Sequence, residues 1–305
     1  MYTFIVNPHS RSGKGREIWE NLEPVLKERK TEYQVLFTRY QKHAVRLTRE
    51  LTSDGEKHTL IVLGGDGTIN EVLNGISYLN KITLGYIPTG SSNDFARAHH
   101  LPSDPLAALN YILAEKAFKA LDIGLLQYQD KNRHFMVSTG IGFDAAVCHQ
   151  AVISKMKILL NRLKLGKLTY AGIALNRLIF SKPCRMTVTL DGEMPVKFNR
   201  AYFATAMNHC YEGGGFKFCP AARPDDQLLD VIVVNNVSKP KLLLLLPFAF
   251  RGWHTRSKCV YTYTCRKVMI ETERALPVHS DGEPVFLQRE ITASLSSQQI
   301  RLIID

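Results

Sequence analysis

The chain has 305 residues, of which 45% are hydrophobic and 22% charged, and a formal net charge of +11. That length buries a full core and suits two domains or one large one, while the composition excludes a disordered tail, a low-complexity tract and a fixed-period repeat. The positive balance favours anionic partners, whether nucleic acid, nucleotide phosphates or anionic lipid headgroups, without choosing among them.

Met1 leads straight into the strand-like Tyr2-Thr3-Phe4-Ile5-Val6, so no signal peptide is expected and a cytoplasmic location is. Six cysteines without CxxC or paired zinc spacing read as thiols. The first strand ends in Asn7-Pro8-His9-Ser10-Arg11-Ser12-Gly13-Lys14-Gly15, followed by an amphipathic helix through Ile18, Leu22, Val25 and Leu26. No GxxxxGK[ST] can be laid over this turn, so it is not a Walker A loop. Its place at a strand's carboxyl end still marks it, because ligands of open α/β sheets collect there. Strand Tyr33–Phe37 with Thr38 at its end and a helix from about His43 to Leu51 come next.

Thr59–Leu63 reads as a buried parallel strand, and Ile69, Val72, Leu73 and Ile76 repeat with a helical period. Between them lies Gly64-Gly65-Asp66-Gly67-Thr68, then Asn70 and Glu71. Glycines let backbone approach a phosphate closely, and the free N–H groups of the helix start face it with the positive end of the helix dipole. Asp66 would repel phosphates unless Mg²⁺ lies between, so it points to a metal nucleotide; the plain alternative is a tight βα turn. After strand Ile82–Ile87, a third such turn runs Pro88-Thr89-Gly90-Ser91-Ser92-Asn93-Asp94-Phe95-Ala96-Arg97. Ser92 or Asn93 suits an N-cap, but capping leaves Gly90, Asp94 and Arg97 unexplained. The βαβαβ rhythm predicts a parallel, Rossmann-like sheet.

From about Leu121 short alternating runs at 135–138, 186–190, 201–204, 231–234, 260–263 and 268–270 predict an antiparallel β domain. Gly140-Ile141-Gly142-Phe143-Asp144-Ala145 resembles a dinucleotide fingerprint, but no acid occurs from Ala151 to Thr169 to hold a ribose, so that assignment is rejected. The basic, amphipathic stretch Ser154–Lys167 suits either an anionic membrane or a helix packed on the sheet with its cations in water. Lys239 to Arg256 is a second such segment, where core packing is the stronger expectation; its apolar run Leu242–Phe250 is too short to span a bilayer. Gly213-Gly214-Gly215-Phe216 and His279-Ser280-Asp281-Gly282-Glu283-Pro284 each read as hairpin turns, although a turn does not account for Glu283.

Together these motifs resemble the diacylglycerol kinase catalytic family, most closely its soluble bacterial lipid kinases, with sphingosine and ceramide kinases also similar. Gly64-Gly65-Asp66-Gly67-Thr68 is shared with NAD kinases and phosphofructokinases. Asn93-Asp94-Phe95-Ala96-Arg97 after Gly90, Cys219-Pro220 and the Asp226-Leu228-Leu229-Asp230 run point to the lipid kinases. The resemblance covers nearly the whole chain. It implies an α/β domain over residues 1–120, an antiparallel β-sandwich over 121–290 and a final segment, 291–305, returning to the first domain. ATP would lie between the two domains, held by Asn7, Pro8, Ser10, Ser12, Gly13, Thr38, Gly64, Gly65, Asp66, Gly67, Thr68, Asn70, Glu71, Gly90, Ser91, Asn93 and Asp94. Glu283 falls on the family's general base, with Asp281 beside it and Asp66 organising Mg²⁺. A structural Mg²⁺ would take Asp226 and the carbonyls of Arg223 and Leu228, with Gln227 standing where the family usually has Gly.

The expected activity is ATP-dependent phosphorylation of diacylglycerol or a similar lipid alcohol, with peripheral contact to an anionic membrane. Phosphoryl transfer asks a protein for positioning, charge neutralisation and one carboxylate to accept the hydroxyl proton, which agrees. The alternatives are NAD kinase-like phosphorylation of a soluble substrate and a non-catalytic nucleotide- or lipid-binding regulator. No basic recognition helix or stacking motif supports nucleic acid. Oligomeric state, including a homodimer, stays open.

Overall fold

The structure, a computed structural model, describes residues 1–153, 178 and 180–304. The basic stretch 154–167 lies outside the described residues. The chain forms two compact units, Met1–Asp122 with Ser297–Asp305, and Ile123–Ser296.

In the first unit, β1 (Tyr2–Val6), β2 (Tyr33–Phe37), β3 (His58–Gly64), β4 (Ile82–Pro88), β5 (Ala117–Leu121) and the last strand β17 (Ile300–Ile304) make one sheet in the order β2-β1-β3-β4-β17-β5. All pairings are parallel except β5 against β17. The helices are α1 (Ser10–Gly13), α2 (Gly15–Glu28), α3 (His43–Thr52), α4 (Asp66–Leu73), α5 (Asp94–Ala98) and α6 (Pro105–Ala114). Helix α2 buries Trp19, Leu22 and Leu26, spaced for one helical face, and Trp19 meets Phe4 with ring centroids 5.1 Å apart. The chain passes from β1 to β2 on one side and returns to β3 on the other. This reversal opens a crevice beyond the carboxyl ends of β1 and β3, where an open α/β sheet binds ligands.

In the second unit the strands are β6 (Gly124–Tyr128), β7 (Lys131–Phe135), β8 (Ser138–Gly142), β9 (Cys184–Leu190), β10 (Val196–Met207), β11 (Tyr211–Glu212), β12 (Phe216–Lys217), β13 (Leu229–Asn235), β14 (Val260–Cys265), β15 (Lys267–Ser280) and β16 (Glu283–Leu295). Its described helices are α7 (Phe143–Ile153) and α8 (Lys239–Ala249). Antiparallel pairing runs β14-β13-β10-β8-β15-β16-β6-β7, and β9 closes the sheet on itself by pairing with both β10 and β15. The period of two sorts the side chains. Ala204, Ala206, Val231 and Val233 join the core inside the sandwich, while Phe203, Met207, Ile232 and Val234 face a second core that α8 covers with Leu242. The expected Rossmann-like α/β domain and antiparallel β-sandwich are both present.

Two expectations change in detail and one exclusion stands. The apolar run at 135–138 is a junction, since β7 ends at Phe135 and β8 starts at Ser138. Gly140–Gly142 lies in β8 between two antiparallel neighbours, β10 and β15, rather than in the turn of a parallel βαβ unit, in agreement with rejecting the dinucleotide assignment. Core packing explains only part of α8 and the turn after it: Leu242 and Ala249 are buried, but Leu244, Phe248, Phe250 and Trp253 are exposed. All six cysteines are free thiols.

Candidate active site

Three turns of the first unit are tied to one another. Asn7 follows β1; its backbone N–H donates to the Leu63 carbonyl at 2.9 Å and its Nδ2 to Thr68 Oγ1 at 2.9 Å. Ser10 accepts a hydrogen bond from the Thr89 hydroxyl at 2.8 Å, linking the β1 turn to the β4 turn. Gly90 and Gly65 touch through their backbones, because a Cβ on Gly90 would lie 2.8 Å from the Gly65 Cα. Pro8 is buried, Gly13 has φ +96°, and Ser12 sits in α1, the short helix that replaces the expected open turn. Gly65 caps α4, so the helix begins at Asp66, and the N–H groups of Thr68 and Ile69 both donate to the Gly65 carbonyl, at 2.9 and 3.2 Å.

Asp66 is the chemical centre of this cluster. Its Oδ2 accepts the Asp94 N–H at 3.4 Å, and its Oδ1 is buried with no hydrogen-bond partner among the described residues. Burial, then the negative charge of Asp94, raise its carboxyl to about 7, against the pull of the Asp94, Phe95 and Asn93 amides. Asp94 is itself ion-paired with Arg97, whose Nη2 also donates to the Ser92 carbonyl at 3.2 Å. An orphaned buried carboxylate oxygen beside a glycine turn fits a divalent cation, which would satisfy it.

The other expected residues of this unit divide by role. Asn93 (φ +51°) brackets Gly90, accepting its N–H at 2.9 Å and donating to its carbonyl at 3.0 Å, instead of capping α5. Ser91 is exposed next to Gly90. Thr38, buried after β2, donates its N–H to Val6 at 2.9 Å. Glu71 accepts the Lys42 N–H at 2.8 Å and so anchors the loop before α3, and buried Asn70 contacts Asn74.

In the second unit Asp281 and Gly282, at φ +50° and +78°, form the two-residue hairpin joining β15 to β16. The Asp281 carboxylate accepts the N–H groups of Met136, Val137 and Ser138 at 2.9, 2.8 and 3.0 Å. This clamp is what breaks the run at 135–138. Glu283, half-buried, opens β16 directly after the turn. In the loop before β13, Asp226 Oδ1 accepts the Leu228 N–H at 3.1 Å, Arg223 pairs with Asp225, and Gln227 takes φ +61°, a conformation suited to glycine. Burial and Asp226 raise Asp230 to about 6.

The sequence missed a buried group in this unit. Asp144, Glu212 and His279 meet around one imidazole, with Cys148 close by. Asp144 and His279 stood in stretches noticed for another reason and Glu212 directly before the Gly213–Gly215 run, and only the fold unites them.

Two family models match the chain: the diacylglycerol kinase catalytic domain over residues 1–126, and the YegS C-terminal NAD kinase beta sandwich-like domain over residues 137–303. The chain is 31% identical over 288 residues to a Bacillus subtilis protein named "Putative lipid kinase YtlR", with 92% of each covered. Among solved structures, a diacylglycerol kinase from Bacillus anthracis matches with a TM-score of 0.73 at 21% identity, over 100% of this chain and 96% of that one. An NAD kinase from Archaeoglobus fulgidus in complex with ATP matches with a TM-score of 0.53 at 16% identity, over 99% of this chain and 93% of that one. At such identities the two structures speak for the fold alone. The family models and the Bacillus subtilis relative, taken with the glycine turns around Asp66, make this chain a member of the diacylglycerol kinase catalytic family with a YegS-type sandwich domain.

Proposed function

We propose that the chain transfers the γ-phosphate of ATP to the hydroxyl of diacylglycerol or a similar lipid alcohol, with Glu283 as general base. The observation that carries this is the meeting of three glycine-bearing turns, after β1, β3 and β4, around the orphaned Oδ1 of Asp66. Those backbone N–H groups of the Asn7–Gly13, Gly64–Thr68 and Gly90–Ser91 turns that the turns do not use among themselves would receive the phosphates, and Thr38 would border the nucleotide. When bound, Mg²⁺ supplies charge neutralisation of the phosphates, and Asp66 is the residue that fits it. Glu283 would take the proton as the lipid oxygen bonds to the γ-phosphorus and the bond to ADP breaks. Asp281 contributes by clamping three backbone amides and so holding the turn beside the base.

The Asp226 loop supports a separate structural Mg²⁺ held with the Arg223 and Leu228 carbonyls. Membrane contact is best supported, among the described residues, by the exposed Leu244, Phe248, Phe250 and Trp253, flanked by half-buried Lys239 and exposed Lys241 and Arg251. Among the described residues no helix is long and apolar enough to cross a membrane. The proposal is tested by offering γ-labelled ATP with a panel of diacylglycerol, ceramide, sphingosine, phosphatidylglycerol and NAD. Label on a lipid hydroxyl is expected; label on NAD alone, or on nothing, would overturn it.

A further inference from the structure

His279 is fully buried near the end of β15, two residues before the hairpin turn. Its ring nitrogens meet different partners. Nδ1 accepts the N–H of Gly282 at 3.2 Å. Nε2 lies 3.2 Å from Asp144 Oδ2 on α7 and 3.3 Å from Glu212 Oε1 on β11, both buried carboxylates. The Thr205 hydroxyl of β10 donates to the same Asp144 oxygen. Gly140 leaves the space for this junction, since a Cβ there would stand 2.2 Å from Asp144 Oδ2 and 2.8 Å from His279 Nε2.

A backbone N–H can only donate, so Nδ1 carries the lone pair and the ring proton sits on Nε2, toward the carboxylates. Burial opposes a charge on this ring, but Glu212 and Asp144 outweigh it and raise the group to about 9. With Nδ1 taken by Gly282, the ring keeps its single Nε2–H, and the further proton that the cluster attracts rests on the carboxyl side, with Asp144 or Glu212. Cys148, Glu212 and His279 also offer atoms within 4.8 Å of one another, a spacing that suits a metal. A metal on Nε2 would need Nδ1–H turned toward an acceptor, and Gly282 presents a donor there instead.

The pairing of β15 with β16 shifts register between Pro277 and His279, and two pairs, His279 with Pro284 and Ser280 with Glu283, lie between that shift and the turn. Two side chains add to this short piece of ladder: Asp281 through its own carboxylate, His279 through the Gly282 amide. We infer that His279 is a positioning residue for the phosphoryl transfer, accepting the Gly282 N–H at Nδ1 while Asp144 accepts its Nε2–H beside the Glu212 carboxylate, and so fixing the turn from which Glu283 departs. This rests on Glu283 as general base. Placement errors of about 1 Å in a catalytic group cost on the order of 10²-fold in rate, which is the scale of effect at stake.

Two variants separate the two contacts. In His279→Asn the amide oxygen can stand where Nδ1 stands, keeping the acceptor for Gly282 and losing the carboxylates. In His279→Gln the amide nitrogen reaches the place of Nε2, keeping the carboxylates and losing the acceptor. H279Q is expected to lower kcat by on the order of 10- to 100-fold with KM for ATP and lipid unchanged, and H279N to recover most of that loss. Combined with Glu283→Gln, H279Q should lower the rate no further than E283Q alone, because the residue acts through the base. Normal kcat in H279Q with an inactive E283Q would overturn the positioning role and leave the base intact. Normal kcat in E283Q would overturn the functional assignment itself. If both His279 variants fail to fold, ring-nitrogen NMR of the unaltered protein decides: an Nε2–H tautomer with unprotonated Nδ1 is expected, and a doubly protonated ring or a stoichiometric bound metal would overturn the inference.

Discussion

Replacing Asp66 by Asn keeps the shape of the side chain and removes the charge that the fold holds least comfortably. Burial and Asp94 raise this carboxyl from 3.8 to about 7. At about 1.4 kcal/mol for each unit, the ionised form costs the metal-free fold up to about 4 kcal/mol, and partial exposure of the residue brings this to the order of 2–3 kcal/mol. The folded value lies above the unfolded one. Protonation therefore contributes its full stabilisation below about pH 4, and the contribution is lost as pH rises through about 7. In chelator, the Asn variant should melt several degrees above the unaltered protein at about pH 8, and the difference should shrink toward pH 4. Mg²⁺ with nucleotide should raise the melting temperature of the unaltered protein and leave the variant nearly unmoved, while lipid phosphorylation by the variant disappears. Parallel melting of the two proteins across this pH range would show that Asp66 is not a strained buried anion. Near-normal turnover in the variant would remove it from the metal site.

Gly90→Ala should weaken ATP by on the order of tenfold, about 1.4 kcal/mol, with the fold retained, because the new Cβ would press 2.8 Å from the Gly65 Cα; titration with a non-hydrolysable nucleotide measures this. Asp226→Ala should reduce the Mg²⁺ dependence of melting before it changes substrate affinity, and identical melting of the unaltered protein in Mg²⁺ and in chelator would argue against a metal in that loop. Replacing Lys239, Lys241 and Arg251 with Gln should weaken sedimentation with anionic vesicles by about 1 kcal/mol for each cation and leave neutral vesicles unaffected; sedimentation with anionic vesicles as strong for the variant as for the unaltered protein would remove the α8 surface from membrane contact.

The three turns around Asp66 were legible because each follows an unbroken apolar strand and carries glycine, a pairing that few other arrangements use. What the sequence could not show is partnership across the antiparallel unit. A period of two tells which face Thr205 or Gly140 occupies but not which strand lies beside it, so Asp144, Glu212 and His279 looked unrelated. The clamp of Asp281 on Met136, Val137 and Ser138 was hidden for the same reason, and the apolar character of those residues masked the break. In α8 the five consecutive leucines carry no periodicity, so nothing distinguished buried Leu242 from exposed Leu244.

Phosphoryl transfer to a lipid with Glu283 as base is tested most directly by a single-turnover measurement. The unaltered protein and Glu283→Gln are each mixed in excess with γ-labelled ATP, Mg²⁺ and diacylglycerol in anionic vesicles, and label on the lipid is followed in time while ATP binding is titrated in parallel. The account predicts rapid labelling by the unaltered protein, a rate on the order of 10²-fold or more lower in the Gln variant, and equal ATP affinity in both. Equal labelling rates, or loss of ATP affinity together with the rate, would contradict it.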